Sequence, residues 1–408
     1  MKSIGRSQKV KTKFAETIYG DDKSSFEFTF FSGFTRIWLY EGIHLMRPLP
    51  KSPTEITTEW ITAVLHKSGA LQASAEVSEI VQEPLGEGVG MLSELALLTL
   101  SYTGDADEAP STLVVKFPTL NVINRGIAKD FRVYQREVRS YLEIVPNSPA
   151  ASPKVHLADI EGDGDFVIIL EDLSDYRVGD QVEGATFEES GLAVKELAKL
   201  HGTFWGKVDS EEFEWMPRFS NSWNATNMLE GSQASWELPS ENFDEWVPQW
   251  IRDIKGDFFK TLPALQKHLD TKPITIVHGD FRLDNLFFGQ EPHHHKMTFI
   301  DWQGPVRGRG VVDVAFLLCQ STKTEVRRAH EKELIQQYLD ALEAQGVSGY
   351  SFDEAWEDYR VAVLYQWCFA TLVAGSMDPT NDRGNAWITE MVKRNVAAIE
   401  DLNCLDLL

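Results

Sequence analysis

The sequence predicts an α+β fold with two lobes, a small sheet-rich lobe followed by a larger, mostly helical one. Five strand-like segments occur at 77–81, 94–102, 112–117, 153–160 and 165–173, with a helix at 128–144 between the third and the fourth. After Thr186 the pattern is helical, and only a β-hairpin at 274–301 interrupts it. Because strands come first and helices follow, we expect an antiparallel sheet beside a helical lobe, with a site in the cleft between them.

Local signals support each of these elements. A lead-in helix at 52–69 starts at a capping pattern (Ser52, Pro53, Glu55), ends at Gly69, and has an apolar face made of Ile56, Trp60, Val64 and Leu65. The strands are separated by turn-forming stretches such as GDADEAP. The helix at 128–144 is expected to turn Phe131, Val138, Tyr141 and Leu142 inward. Further helices are expected at 188–201 and around 243–269, 324–344, 352–375 and 384–402.

The charge balance argues against two classes of partner. With 39 basic and 62 acidic side chains, the 408-residue chain has a net charge of −23. Nucleic acid and anionic membranes both require a basic surface, so we expect neither as a main partner. A local basic pocket for nucleotide phosphates remains compatible with this balance.

Cysteine usage and hydropathy indicate a cytoplasmic protein. Cys319, Cys368 and Cys404 are far apart and odd in number, which predicts neither a disulfide framework nor a zinc site. The sequence has no apolar run of membrane-spanning length, and its N-terminus lacks the apolar core of a secretory signal. We therefore expect no membrane insertion.

The segment from Ile276 to Leu318 carries the strongest functional signal. An apolar run leads into His278-Gly279-Asp280, Asn285 follows five residues after Asp280, and a second apolar run ends at Asp301. Asp280 can orient an attacking hydroxyl and accept its proton, while the oxygens of Asn285 and Asp301 suit Mg²⁺ bound to phosphates. A hairpin whose ends happen to be polar would share some of these residues but not their order and spacing. The pattern predicts phosphoryl transfer from a nucleotide to a hydroxyl.

At these motifs, HGDFRLDN and IDWQ, the chain resembles the aminoglycoside phosphotransferase and choline kinase group of small-molecule kinases, and within it the ecdysteroid-kinase-like (CHK kinase-like) branch. The resemblance extends from about Pro53 to the C-terminus. It implies a protein-kinase-like fold, ATP as the phosphoryl donor and Mg²⁺ as the metal. It also implies Asp280 as the catalytic base, and Asn285 and Asp301 as the metal ligands.

The predicted nucleotide site lies in the first lobe. Gly86, Gly88 and Gly90 form a glycine-rich turn between two strands, where backbone can approach phosphate oxygens. Lys116 lies among apolar neighbours at a strand end and needs partners there, which would be nucleotide phosphates and a helix carboxylate. Glu137 is the expected carboxylate, with Glu143 as the alternative. The resemblance places the adenine-reading backbone at Ile168–Leu173, with Glu171 and Leu173 as contact residues.

Other residues of this region have more than one interpretation. Arg282 can bind a phosphate or the acceptor, or pair with Asp284. Asp313 can cap the helix that it opens, although the resemblance favours a role in holding the catalytic loop. His278 is expected to hold the same loop by hydrogen bonds. His293 to His295 are compatible with a metal tract, but a solvated hairpin turn is the preferred interpretation.

The acceptor side is less well defined. Residues 204–250 hold six of the twelve tryptophans, with acidic residues between them. They are expected either to pack in the helical core or to form an aromatic acceptor wall. An apolar alcohol of steroid or terpenoid type is the first choice of acceptor, and choline-like and aminoglycoside-like molecules are alternatives.

Together these observations predict a kinase that acts on a small-molecule hydroxyl. We expect an N-terminal extension at 1–50, an N-lobe with its lead-in helix and hinge at 51–173, and a C-lobe with the acceptor site at 174–408. The alternative is a pseudokinase that binds nucleotide as a scaffold. A protein kinase is disfavoured because Trp302-Gln303 follows Asp301 and no segment resembles a platform for protein substrates. The sequence leaves the oligomeric state open.

Overall fold

A five-stranded antiparallel sheet forms the body of the first lobe in the computed structural model, which describes residues 48–86, 92–162, 164–376 and 382–408. Its strand order is β1-β2-β3-β5-β4. The strands are β1 (Glu76–Leu85), β2 (Ser93–Thr103), β3 (Thr112–Pro118), β4 (Val155–Glu161) and β5 (Asp165–Glu171). All five predicted strands are therefore confirmed. Strand β5 is an internal strand of the sheet, since it pairs with both β3 and β4.

Helix α1 (Thr58–Lys67) packs on one face of this sheet and begins later than predicted. Residues Pro53–Glu55 form only a single 3₁₀ turn, and Ile56 returns to an extended conformation. The helix starts after Thr57, whose side chain accepts a hydrogen bond from the backbone N–H of Trp60. Trp60 and Val64 then enter the apolar core with the sheet residues Val77 and Leu98.

The single helix predicted at 128–144 is wrong, because two helices replace it. Helix α2 (Val122–Asp130) and helix α3 (Val133–Arg139) are separated at Arg132, which has a left-handed backbone with φ of 50°. Helix α3 then continues as a π-helical turn over Ser140–Ile144. Leu142 was expected to face inward but is 49% exposed. The break separates α3, which packs against β4 and β5, from α2, whose Asn124 and Ile127 line a cavity.

The second lobe is mainly helical, as predicted. A short strand β6 (Arg177–Val178) precedes helix α4 (Phe187–Phe204), whose N-terminus has a capping box between Thr186 and Glu189. The remaining helices are α5 (Trp223–Ser235), α6 (Leu238–Asn242), α7 (Gln249–Asp253), α8 (Lys255–Leu269), α9 (Val311–Phe316), α10 (Thr324–Ala344), α11 (Phe352–Ser376) and α12 (Asp382–Asp401). Helix α11 packs against α5, α8, α9 and α12 and so lies at the centre of this lobe.

The strands around the predicted hairpin at 274–301 pair differently from the expectation. Strand β7 (Thr275–Val277) pairs with β10 (Val306–Gly308), so that Val277 lies opposite Val306. Strand β8 (Leu286–Phe288) pairs with β9 (Met297–Phe299), and β6 adds a third strand. The sequence predicted one hairpin, in which the apolar run before His278 pairs with the apolar run before Asp301. The chain instead crosses between two small sheets, and the candidate catalytic residues occupy the crossing.

Two apolar cores hold these elements together. One lies between α1 and one face of the large sheet. The other begins on the opposite face, at Phe166 and Ile168, and continues through Tyr134 of α3 into the helical lobe. The exact boundary between lobes at residue 173 stays a prediction, as does the extension at 1–50, most of which lies outside the described residues. Within the described ranges, no helix is both long and apolar enough to cross a membrane.

Candidate active site

The loop that follows β7 is held by one buried carboxylate, that of Asp313 in the first turn of α9. Its Oδ2 accepts a hydrogen bond from the backbone N–H of His278 at 2.6 Å, and its Oδ1 accepts from the N–H of Gly279 at 2.9 Å. His201 Nε2 lies 3.2 Å from the same carboxylate. Asp313 thus ties the loop to the helical lobe, as the resemblance implied, and Gly310 occupies the N-cap position of α9.

His278 supports the loop from inside. Its Nδ1 accepts the backbone N–H of Asp280 at 3.3 Å, so the proton is on Nε2, which donates to the carbonyl oxygen of Ile300 at 3.1 Å. Burial lowers the pKa of His278, and the nearby Asp313 carboxylate opposes this shift. The neutral imidazole therefore links the loop containing Asp280 to the residue that precedes Asp301.

Gly279 permits a close crossing of two loops. Its backbone is left-handed, with φ of 82°, and a Cβ atom placed there would lie 2.1 Å from the carbonyl oxygen of Gly304. A side chain at this position is excluded by both the conformation and the space. The crossing brings the 301–306 segment against the start of the catalytic loop.

Asp280 and Asn285 form a connected pair. The Asn285 side-chain Nδ2 donates to the Asp280 carbonyl oxygen at 2.9 Å and to its Oδ2 at 3.2 Å. Asp280 Oδ1 is buried without a hydrogen-bond partner among the described residues, and Arg282 Nε lies 3.7 Å from it. Because the amide nitrogen of Asn285 points to Asp280, its Oδ1 is the atom left to face another ligand.

Lys116 bridges the two lobes through two carboxylates. Its Nζ lies 2.6 Å from Glu137 Oε1 on α3 and 2.9 Å from Asp301 Oδ1 beyond β9. The alternative partner, Glu143, instead pairs with Arg139 at the surface. Asp301 has a left-handed backbone with φ of 68°, and its Oδ2 accepts from Gln303 Nε2 at 3.1 Å. The backbone N–H of Ile300 donates to the Asn285 carbonyl oxygen, which places Asp301 beside the Asp280–Asn285 pair.

The pKa values of these groups follow from burial and charge. Burial lowers the pKa of Lys116, but Asp301 and Glu137 outweigh this effect and raise it above the usual value. Burial raises the pKa of Glu137 to about 7, against the opposing charge of Lys116. Burial also raises the pKa of Asp280, and Asp301 adds to the shift while Arg282 opposes it. Burial tends to raise the pKa of Asp301, but Lys116 and Arg282 prevail, so this pKa is lowered.

Arg282 is positioned by an aromatic ring as well as by acids. Its guanidinium lies 4.9 Å from the centre of the Trp387 ring on α12, with Asp284 Oδ2 at 3.9 Å and Asp280 Oδ1 at 3.7 Å. Asp284 in turn accepts the backbone N–H of Gln181. Arg282 therefore pairs with Asp284, as one interpretation expected. Its side chain also lies beside Asp280, the candidate base, so a contact with a phosphate or with the acceptor remains open to it.

Gln181 was not identified from the sequence. Its side chain is buried, accepts the backbone N–H of Leu283 at 2.9 Å, and donates to the Gln320 carbonyl oxygen. It therefore fixes the catalytic loop from a position 102 residues earlier in the chain. No local motif surrounds Gln181, so only three-dimensional structure reveals this role.

The predicted hinge and glycine-rich turn are described only in part. Glu171 is the last residue of β5, and its backbone N–H donates a hydrogen bond to the carbonyl oxygen of Lys154. The Leu173 carbonyl oxygen accepts from Tyr176, whereas its N–H has no acceptor in the described part of the chain. Gly86 follows β1 with φ of 65°. Gly88 and Gly90 lie outside the described residues.

An apolar cavity of about 250 Å³ adjoins Asp280. Its walls come from α2 and α3, from α5, from α11 and from the crossing loops. Among the described residues that line it, Asp280 is the only acidic one and Arg136 is the only basic one. The apolar wall residues include Ile127, Phe131, Phe219, Met228, Phe369 and Leu372.

The tryptophans of residues 204–250 do not form the wall of this cavity. All six are described, and none is among its lining residues. Trp205 packs on Tyr350 and Trp236 packs on Phe258, as core aromatics do. The others lie under cations, as Trp215 does under Arg139, or against the core. Core packing is the interpretation that the structure supports for this segment.

The histidine tract lies in the loop between β8 and β9. His294 Nδ1 accepts the backbone N–H groups of Gln290 and Glu291, and its Nε2 lies 3.0 Å from Asp175 Oδ2. Tyr176 stacks on the His294 ring at 4.1 Å. Asp175, His293 and His294 are close enough to share a metal, but His294 Nδ1 is already used within the loop and its Nε2 already contacts Asp175. The tract therefore serves as a loop contact.

A sheet lobe with a lysine–glutamate ion pair, joined to a helical lobe that supplies Asp280, Asn285 and Asp301, defines a kinase-like protein of the small-molecule phosphotransferase class. A model of the ecdysteroid kinase-like family matches residues 87–346. The chain belongs to this family.

Solved structures share the fold at low sequence identity. Choline kinase from Cryptosporidium parvum Iowa II is 11% identical, with a TM-score of 0.51 over 86% of this chain and 98% of that chain. The GDP complex of aminoglycoside 2'-phosphotransferase-IIIa is 13% identical, with a TM-score of 0.48 over 85% of this chain and 98% of that chain. The choline kinase likeness confirms the predicted two-lobed α+β fold.

One curated relative shows a partial match. Mouse (Mus musculus) acyl-CoA dehydrogenase family member 10 is 22% identical over 167 residues, which is 35% of this chain and 16% of that protein. The match spans less than a fifth of the relative's length. The family and the fold together indicate a small-molecule, kinase-like phosphotransferase.

Proposed function

We propose that this protein transfers the γ-phosphoryl group of ATP to a hydroxyl group of an apolar small molecule, with Mg²⁺ and with Asp280 as the catalytic base. One observation carries the proposal. Asp280 borders an apolar cavity on one side and, through Asn285, adjoins the Lys116–Asp301 ion pair on the other. An acceptor hydroxyl in the cavity would thus lie between a base and a phosphate-binding cation.

Asp280 is suited to accept the proton of the hydroxyl. Its Oδ1 has no hydrogen-bond partner among the described residues, while Oδ2 is held by Asn285. The acceptor oxygen would attack the γ-phosphorus, the bond from that phosphorus to the bridging oxygen of ADP would break, and Asp280 would take the hydroxyl proton. Arg282, at 3.7 Å, favours the ionised form that this role requires.

The donor set beside Asp280 fits Mg²⁺. Asn285 Oδ1 and the Asp301 carboxylate are hard oxygen ligands, and the mutual repulsion of Asp280 and Asp301 favours a cation between them. We assign Asn285 and Asp301 to the metal. Bound there, Mg²⁺ would neutralise charge on the phosphate oxygens.

Lys116 and Glu137 would act on the nucleotide. Lys116 is positioned to bind the α- and β-phosphates, and Glu137 fixes the lysine from α3. Gly86, Gly88 and Gly90 would cover the phosphates with backbone. Glu171 and Leu173 would contact adenine, for which the unused Leu173 N–H offers a donor.

The cavity favours an apolar acceptor, of the steroid or terpenoid alcohol type, over a cationic one. A polycationic sugar requires several carboxylates that converge on its amines, and the Arg136 guanidinium in the cavity wall would repel any cationic acceptor, a quaternary ammonium included. Asp280 is the single acid of the described cavity lining, and we assign it the catalytic role. Apolar side chains form most of the remaining wall.

The test offers the enzyme ATP, Mg²⁺ and matched panels of sterols, terpenoid alcohols, choline analogues and aminoglycosides. Phosphorylated product is measured by mass spectrometry, with Asp280→Asn as the inactive control. We expect product from apolar alcohols only. Product from aminoglycosides alone would refute the apolar acceptor, and nucleotide binding without product from any hydroxyl compound would favour the scaffold alternative.

A further inference from the structure

Arg136 is a buried cation in the acceptor cavity with no acidic partner. It lies on α3 directly before Glu137 and is only 5% exposed. No carboxylate among the described residues lies within ion-pair distance of it, although most buried arginines of this chain, such as Arg309 and Arg327, have one. The role proposed for α3 in holding Lys116 through Glu137 does not use this side chain.

The hydrogen bonds of Arg136 leave donors unused. Nη2 donates to the Pro305 carbonyl oxygen at 2.8 Å, and Nη1 donates to the Phe131 carbonyl oxygen at 3.2 Å. Nε is buried without an acceptor in the described part of the chain. Since a guanidinium has five N–H groups, these two bonds leave more than half of its donors unsatisfied.

Such an arrangement is costly for the protein alone. Burial lowers the pKa of Arg136 to about 9, and no carboxylate counteracts it. Another cation, Arg132, lies 5.0 Å from the centre of the Trp223 ring, and Arg136 lies 5.8 Å from the centre of the same ring. Asp280 is already engaged with Arg282 and Asn285. A buried unpaired charge is destabilising unless a ligand supplies the opposite charge.

We propose that Arg136 binds a carboxylate of the acceptor, so that the natural acceptor is an apolar hydroxy acid. This inference rests on the proposed function, because it assigns the cavity beside Asp280 to the acceptor. The guanidinium matches a carboxylate in charge and in its planar, forked geometry. The side-chain amides of Asn224 and Gln366 also line the cavity and are nearly buried, which adds polar contacts for such a group. The hydroxyl end of the acceptor would lie at Asp280 and the acid end at Arg136.

The experiment compares a hydroxy acid with its neutral ester. Lithocholic acid and its methyl ester share one hydroxylated apolar frame and differ in the charge of one group. Their dissociation constants are measured by calorimetry for the full-length wild type, Arg136→Met, Arg136→Lys and Arg132→Met, in the presence of Mg²⁺ and a non-hydrolysable ATP analogue. Arg132→Met is the matched control, because Arg132 contacts the same Trp223 ring but is exposed and does not line the cavity.

We expect the wild type and Arg132→Met to bind the acid about tenfold or more tightly than the ester, which is the usual effect of a hydrogen bond between charged groups. Arg136→Met should abolish this preference and Arg136→Lys should keep part of it. The proposal is overturned if the wild type binds the ester as tightly as the acid. It is also overturned if the wild type binds neither compound. An acid preference that Arg136→Met retains overturns it as well.

Phosphoryl transfer is measured in separate samples of the same variants, with ATP in place of the non-hydrolysable analogue. An acid preference that depends on Arg136, without transfer to any hydroxyl, supports the acid site and refutes the proposed function. Transfer to neutral alcohols with no preference for acids supports the proposed function and refutes the acid site at Arg136. Unchanged analogue affinity in Arg136→Lys shows that the variant is folded and that any lost preference comes from the acid subsite.

Discussion

Asp280 and Asp301 are buried carboxylates whose pKa values move in opposite directions. Burial dominates at Asp280, where Oδ1 has no hydrogen-bond partner among the described residues, and its pKa is raised. At Asp301 the contact with Lys116 prevails over burial, and the pKa is lowered. Both residues are assigned to the chemistry, so their replacement should separate activity from stability.

Asp280→Asn should stop turnover while leaving the fold at least as stable at neutral pH. We expect a loss of turnover of at least about a hundredfold, since a general base is removed. A raised pKa means that the native state holds the proton more tightly than the unfolded state. The ionised carboxylate therefore costs stability once the pH rises through the folded-state pKa. The melting temperature should exceed that of the wild type at neutral pH, and the difference should shrink as the pH falls. A variant that melts lower at neutral pH would show that Asp280 stabilises the fold.

Asp301→Asn should also stop turnover but should destabilise the fold. A lowered pKa means that the carboxylate contributes stability above its unfolded-state pKa and loses it as the pH falls through the folded-state pKa. Replacement removes one of the two carboxylates on Lys116, and we expect a loss of about 1–3 kcal/mol in the free energy of unfolding at neutral pH. Urea denaturation of both variants in parallel measures the contrast. Equal stability of the two variants would contradict the assigned charge states.

The sequence could predict the residues of the site that share a short motif, but not those that converge from elsewhere. Asp280, Asn285 and Asp301 are recognisable because the proposed reaction requires those side-chain types in a fixed order and at short spacing along the chain. Gln181 and Arg136 have no such signal. Gln181 acts through a contact with Leu283, and Arg136 is notable only because its buried Nε has no hydrogen-bond partner among the described residues. Contacts between distant segments depend on packing, which periodicity does not encode.

At the scale of the elements, the crossing at Gly279 is the most demanding feature. Gly279→Ala should lower the free energy of unfolding by about 3 kcal/mol or more, because it adds a clash to an unfavourable conformation. Gly346→Ala is the matched control, since its φ is 86° but no atom lies within 4 Å of the added Cβ. We expect about 1–2 kcal/mol there, from conformation alone. Chemical denaturation and turnover are measured for both. Equal losses would mean that the loops can separate without penalty.

The elements show what periodicity can and cannot reveal. The strands were found because alternation and turn residues are local properties. The break at Arg132 was missed because no glycine or proline marks it, and the apolar spacing continues across it. The start of α1 was placed too early because two capping patterns lie close together, and only Thr57 makes the bond. The partners of β7 and β9 were misassigned because strand pairing is a non-local choice.

At the scale of the whole molecule, the ion pair between Lys116 and Asp301 joins the two lobes across the cleft. A nucleotide that binds there should stabilise the entire chain, by about 2.7 kcal/mol at a hundredfold excess over its Kd. We expect ATP with Mg²⁺ to raise the melting temperature of the wild type and of Glu143→Gln, where the replaced side chain pairs with Arg139 alone among the described residues. Lys116→Ala should lose most of this rise. A full shift in Lys116→Ala would remove the lysine from the nucleotide site.

The order of the two lobes was predictable from the order of strands and helices, whereas the acceptor wall was not. The tryptophan-rich segment appeared to be a candidate for that wall, but its rings fill the core or lie under cations. The cavity takes its walls instead from α2, α5 and α11, which are far apart in the chain. Composition indicates how much aromatic surface exists, and only the packing of the helices decides where it is used.

The contact between Lys116 and Asp301 also bears on the sequence of ligand arrival. In the chain alone, the lysine occupies an oxygen that the metal is proposed to need. A divalent ion that binds without nucleotide would have to displace the Lys116 ammonium group from Asp301 and leave it paired with Glu137 alone. Phosphate oxygens offer that ammonium a new partner at the same moment. We therefore expect metal and nucleotide to enter together as a preformed chelate, and not the metal first.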